Sequence, residues 1–201
     1  WSSDVCSSDL RPADTIIIRS KDPNRLAQVS GIDVSESQNI WIQQLAVTPT
    51  AGISTARDSA LITVRNSRGI GIVANQVFGW TDGTYATDPD GAHFDGADNV
   101  TFARNELHDL GRGVVFATVR DGRMTDNTLY NLRSDGADFA GVQRIEIDGN
   151  LFTSFHPIEP DHPDFIQFWT REAKIKDTHT VSIHHNVMLQ GAGIEIGRAH
   201  V

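Results

Sequence analysis

AHFDGADNVTFARNEL (residues 92–107), VVFATVRDGRMTDNTL (114–129) and ADFAGVQRIEIDGNLF (137–152) are three versions of one pattern. Their third position is Phe94, Phe116 and Phe139, and Asn105, Asn127 and Asn150 stand two residues before Leu107, Leu129 and Phe152. Between these marks apolar residues alternate, as in Val100 and Phe102 or Ile145 and Ile147, which is the period of a strand with one face buried. The same frame extends outward to Ile70, Ile72 and Asn75 before it, and to Val181, Ile183 and Asn186 after it. Successive asparagines are 30, 22, 23 and 36 residues apart. A floor near 22 with longer excursions describes a three-sided coil whose corners carry loops of variable length.

A second alternating strand recurs upstream of each asparagine. Its inward positions are Ile32, Ile62, Ala92, Val114, Ala137 and Ile166, followed two residues later by Val34, Val64, Phe94, Phe116, Phe139 and Phe168. Identical side chains at one offset in stacked coils would lie about 4.8 Å apart, the spacing of paired strands. The asparagines form a ladder by the same logic, each amide bonding the backbone and its counterparts above and below. Leu45 holds that position in the preceding coil, so the ladder starts at Asn75. The weak coil offers Gly122 and Met124 where its neighbours have larger pairs. A β-sandwich also contains many short strands, but it has no reason to repeat Phe and Asn at fixed offsets.

These ladders resemble those of the right-handed parallel β-helix repeat proteins, over about residues 15–194. The resemblance implies an all-β, single-stranded solenoid of six to seven coils, incomplete at both ends, with residues 11–194 as its domain. Residues 1–10 (WSSDVCSSDL) and 195–201 (EIGRAHV) read as ends foreign to the repeat, and Cys6 lies in the first of them. The fold also implies a polysaccharide partner and a secreted, cell-surface or periplasmic location. The formal charge of -9 excludes the basic footprint of a nucleic-acid binder, and no apolar run reaches membrane-spanning length.

The long corners point to a site. From the asparagine column to the residue before the second strand, the intervals are 15, 15, 7, 8 and 14 residues, ending at Ala60, Asp90, Arg112, Asp135 and Asp164. Two short coils between long ones predict a groove, floored by the coils of Arg112 and Asp135 and walled by residues 79–89 and 154–163. The outward columns of the second strand bring His93, Val115, Asp138 and Gln167 to one line, and Asp95, Ala117, Ala140 and Trp169 to the next. Stacked carboxylates suggest a cation, Ca2+ by its preference for oxygen, held by Asp90, Asp135 and Asp164. The plainer reading is that Asp before Gly, as in Asp90-Gly91 and Asp135-Gly136, makes a turn.

The peptide DHPDFIQFW (161–169) gathers acid, imidazole, amide and aromatic groups. It resembles the Asp-Pro-His peptides of alginate C5-epimerases, with His162 ahead of the proline here. That resemblance implies proton abstraction from a uronate: His162, beside Asp161, as base, Arg112 or a bound cation as charge neutraliser, and Tyr85 or His156 as proton donor. Trp80 and Trp169 would stack on sugar rings, with His93, Asp138 and Gln167 lining the chain. Competing with this are loop-anchoring roles for His162 and His156, a salt bridge of Arg112 with Asp109 or Asp135, and plain solvent exposure for His184, His185, Lys174 and Lys176. Uronate lyase or C5-epimerase chemistry is the leading expectation. A non-catalytic glycan-binding adhesin or tailspike-like module and a glycoside hydrolase are the alternatives.

Overall fold

The computed structural model describes residues 14–22, 24–50, 59–158, 160–169 and 177–190, and contains no helix among them. Six coils each contribute one short strand to each of three sheets, the last described coil adds one to the first and one to the second, and every pairing between these strands is parallel. The first sheet stacks Ile16–Arg19, Ile40–Gln43, Arg68–Val73, Asp98–Ala103, Arg120–Thr125, Gln143–Asp148 and His179–His184. The second stacks Ala27–Val29, Leu45–Val47, Gln76–Phe78, Glu106–Leu110, Thr128–Leu132, Leu151–Thr153 and Val187–Leu189. The third runs through Ile32–Ser35, Ala60–Arg65, Asp90–Asp95, Val114–Ala117, Ala137–Ala140 and Ile166–Trp169. This is a parallel β-helix. The sandwich alternative fails, because its sheets would be antiparallel.

The register follows the sequence columns residue for residue: Phe94 pairs with Phe116, Phe116 with Phe139 and Phe139 with Phe168. Their rings stack with centroids 4.8, 5.3 and 5.0 Å apart, in a file down the interior. Phe102 meets Phe94 and Phe116 edge-on from the first sheet. The weak coil holds because Gly122 leaves room for a neighbour: a Cβ there would stand 2.8 Å from Cδ1 of Ile145.

The asparagine ladder seals the corner between the first and second sheets. Oδ1 of Asn127 accepts from the backbone N–H of Asn105 at 2.9 Å and from its Nδ2 at 3.1 Å, while its own Nδ2 donates to Phe102 O and Asn150 Oδ1. Asn75, Asn105, Asn150 and Asn186 repeat the arrangement, and Asn75 also accepts from the N–H of Leu45, where the ladder begins. The residue before each rung is left-handed, with φ of 55° at Ala74, 54° at Arg104, 57° at Asp126 and 53° at His185. Side chains resist that conformation, so the buried amide bonds offset a local backbone cost at these four rungs, while Gly149 takes the same conformation before Asn150 without it.

Long corners emerge between the second and third sheets at residues 79–89 and 154–165, with short corners at 111–113 and 133–136 between them. Residues 1–10 and 195–201, together with Lys174 and Lys176, lie outside the described residues.

Candidate active site

The residues entering the third sheet form a column, Ala60, Asp90, Arg112, Asp135 and Asp164, on the short-corner side of the solenoid. Glycines behind three of them fix its shape. A Cβ on Gly113 would lie 2.3 Å from the carbonyl oxygen of Gly136, so the corners can stack this closely only without side chains. Asp90 and Asp135 have the expected turn role, extended between coils. Oδ1 of Asp90 accepts from the N–H of Arg112 at 2.9 Å, and Oδ1 of Asp135 accepts from the N–H of Asp164 at 2.9 Å. Ser134 donates to the other oxygen of Asp135, and Gln167 Nε2 donates to Asp164 at 3.0 Å.

Arg112 stands at the centre of this column. Its guanidinium lies 3.8 Å from Asp90, 3.6 Å from Asp135 and 3.7 Å from Asp138, and it is 37% exposed. Of the two sequence-predicted salt-bridge partners it has Asp135. Asp109 turns instead to His108, with Nδ1 to Oδ2 at 2.6 Å. The guanidinium therefore takes the place that a cation would need among these aspartates. Asp90, Asp135 and Asp164 do not converge as a group of ligands; among the described residues only Asp148, His184 and His185 do. The residues present do not fit a calcium site in this column.

Beneath Arg112 lies Asp138, 1% exposed, with neither carboxylate oxygen hydrogen-bonded. Burial pushes its pKa up to about 8, and repulsion from Asp135 adds to this against the pull of Arg112. Burial also raises Asp135, opposed by the N–H of Asp164 and by Arg112. His93, two coils away in the same outward column, is lowered by burial foremost, with Arg65 and Arg112 adding to that and Asp95 opposing it. Asp138, held protonated near neutral pH, and Asp135, raised by burial as well, thus stand side by side at this corner.

The two long corners meet instead of standing apart as walls. The ring of Tyr85 stacks on His156 at 4.6 Å, and Arg133, buried below them, ties both loops down. Its Nη1 donates to the carbonyls of Ala86 and Tyr85 at 3.1 and 3.4 Å, and its Nε faces Asp161 at 3.0 Å. Asp161 is thus a loop anchor. His156 reaches Asn131 at 3.3 Å, and Asp88 is buried and accepts the backbone N–H of Trp80 at 3.1 Å. Burial raises Asp88 to about 6. Trp80 and Trp169 are both half-buried. His162 is exposed and makes no hydrogen bond or ion pair among the described residues.

The structure therefore brings together Asp90, Arg112, Asp135, Asp138, Asp164 and Gln167 as one cluster, and Tyr85, His156 and Asp161 as another. The sequence reading missed Arg133 and Asp88. Arg133 directly follows the inward Leu132 at a short corner, a position whose depth depends on how the loops fold over it.

Stacked parallel coils with a buried acidic corner define this chain as a β-helix repeat protein. It belongs to the family described as the right handed beta helix region, whose model matches residues 10–176. Among solved structures it is similar to a protein of Parabacteroides merdae named as a "putative glycosyl hydrolase", at 8% identity and a TM-score of 0.53, covering 82% of this chain and 78% of that one. No curated protein matches the sequence.

Proposed function

We propose that this chain binds a polysaccharide across the corner of the third sheet and cleaves its glycosidic bonds by hydrolysis. The observation that carries the reading is Asp138, a buried carboxyl without a hydrogen-bond partner that stays protonated at neutral pH beside the ionisable Asp135. Hydrolysis of a glycoside needs that pair: an acid to protonate the leaving oxygen, and a carboxylate to activate water or to attack the sugar. Asp138 takes the first role and Asp135 the second. Arg112 covers Asp138 at 3.7 Å, so its partly exposed side chain must move aside for a sugar to reach that carboxyl. The likeness to a protein named as a glycosyl hydrolase points the same way, at the level of the fold. A secreted or cell-surface location goes with this reading, since polysaccharides meet a cell from outside.

Lyase or epimerase chemistry draws less support. Its base, His162, makes no bond to the cluster, and its charge neutraliser, Arg112, is already paired with Asp90 and Asp135, whose carboxylates would repel a uronate. The test is incubation of the full chain with neutral and acidic polysaccharides, following reducing ends and near-ultraviolet absorbance together. Hydrolysis yields reducing ends alone, and Asp138→Asn lowers that rate by about 10²–10⁴ with binding retained. An absorbing unsaturated product would establish a lyase instead, and binding without any product would establish an adhesin.

A further inference from the structure

The last two described coils hold a second cluster, on the first sheet and not at the third-sheet corner, and independent of the function proposed for that corner. Asp148 and His184 are register partners on the outer face of the first sheet, and His185 follows at the corner. Nδ1 of His184 lies 2.8 Å from Oδ1 of Asp148, and Nδ1 of His185 lies 2.9 Å from the same oxygen. The two nitrogens are 3.0 Å from each other. Hydrogen bonding alone cannot satisfy this triangle. Each Nδ1 carries at most one hydrogen. If both donate to Asp148, two N–H groups crowd each other. If one donates to the other ring, the accepting nitrogen has no hydrogen left for the carboxylate.

A cation in the middle removes the conflict, because all three atoms then present lone pairs. First-row metals bind nitrogen and oxygen at about 2.0–2.2 Å, so adjacent ligands stand about 3.4 Å apart in a tetrahedral shell and about 3.0 Å apart in an octahedral or facially open one. The triangle has the second of these sizes. Two histidines and one carboxylate on one face leave the opposite face open. His185 is 80% exposed, so water can occupy those positions. Glu146 faces Nε2 of His184 at 3.8 Å, on the side where a carboxylate orients a ligating imidazole.

The geometry points to a site for a divalent first-row transition metal, formed by Asp148, His184 and His185. Because Asp148 belongs to one coil and both histidines to the next, a bound ion also ties the two coils across the long excursion between them. The test is calorimetric titration of the full, tag-free, chelator-treated chain with Zn2+, with Ca2+ and Mg2+ as controls. The expected result is one Zn2+ per chain at micromolar metal, affinity weakened at least tenfold in both His184→Ala and Asp148→Asn, and no binding of Ca2+ or Mg2+ at the same concentration. His185→Ala changes a mostly exposed side chain and serves as a third variant, with circular dichroism in chelator checking that all three fold like the parent. Absence of Zn2+ binding, equal binding by folded variants, or equal binding of Ca2+ would each overturn the site.

Discussion

Asp138 is the residue on which the proposed chemistry turns, and its protonation would link that function to stability. The carboxyl keeps its proton to about pH 8 in the folded chain but only to about 3.8 when unfolded. Between those values the folded state binds more protons than the unfolded state, so stability falls as pH rises through the window. Asp138→Asn removes the titrating group while keeping its shape. The variant should therefore gain stability over the parent at pH 8–9, on the order of 4–6 kcal/mol from the distance between those two values, in which the pull of Arg112 is already included. Below about pH 4 that gain should vanish, since the parent is protonated in both states. Urea denaturation at the two pH values measures this, and a difference independent of pH would refute the assignment. The sequence placed Asp138 outward on its strand, between the interior residues Ala137 and Phe139. It did not show the depth, because alternation gives the direction of a side chain and not what lies over it. Arg112 covers it, and Arg112 comes from a corner in the preceding coil.

At the level of strands and corners, most of the fold was legible. The phenylalanine file and the asparagine ladder could be read because each rung repeats its chemistry at a fixed offset, and the observed register matches those offsets. The corner insertions were legible too, as differences in interval. How the insertions fold was not: Tyr85 and His156 meet through loop conformations that no repeat specifies, and Arg133 acts between coils. The ladder itself makes a quantitative claim. Asn127→Ala would leave the N–H of Asn105 and the carbonyl of Phe102 buried without this partner. Each such loss costs about 1–3 kcal/mol, so the variant should be destabilised by roughly 2–6 kcal/mol in chemical denaturation. A loss below 1 kcal/mol, of the size expected for a surface substitution, would mean that the ladder does not hold this corner.

Over the whole molecule, parallel coils give a rigid scaffold on which side chains far apart in sequence become neighbours. Asp90, Arg112, Asp135 and Asp164 span 75 residues and form one short column. That economy lets a chain with a formal charge of -9 concentrate carboxylates at one corner and tune one of them by burial. The account stands or falls on whether this corner performs acid catalysis. The most direct measurement is the pH dependence of kcat/KM for release of reducing ends from a cleaved polysaccharide, in the parent and in Asp138→Asn. The account predicts a parent profile that falls on the alkaline side with a midpoint near the Asp138 value of about 8, and a variant slower by about 10²–10⁴ that lacks this limb. A variant that cleaves at the parent rate, or keeps the same alkaline limb, would contradict it.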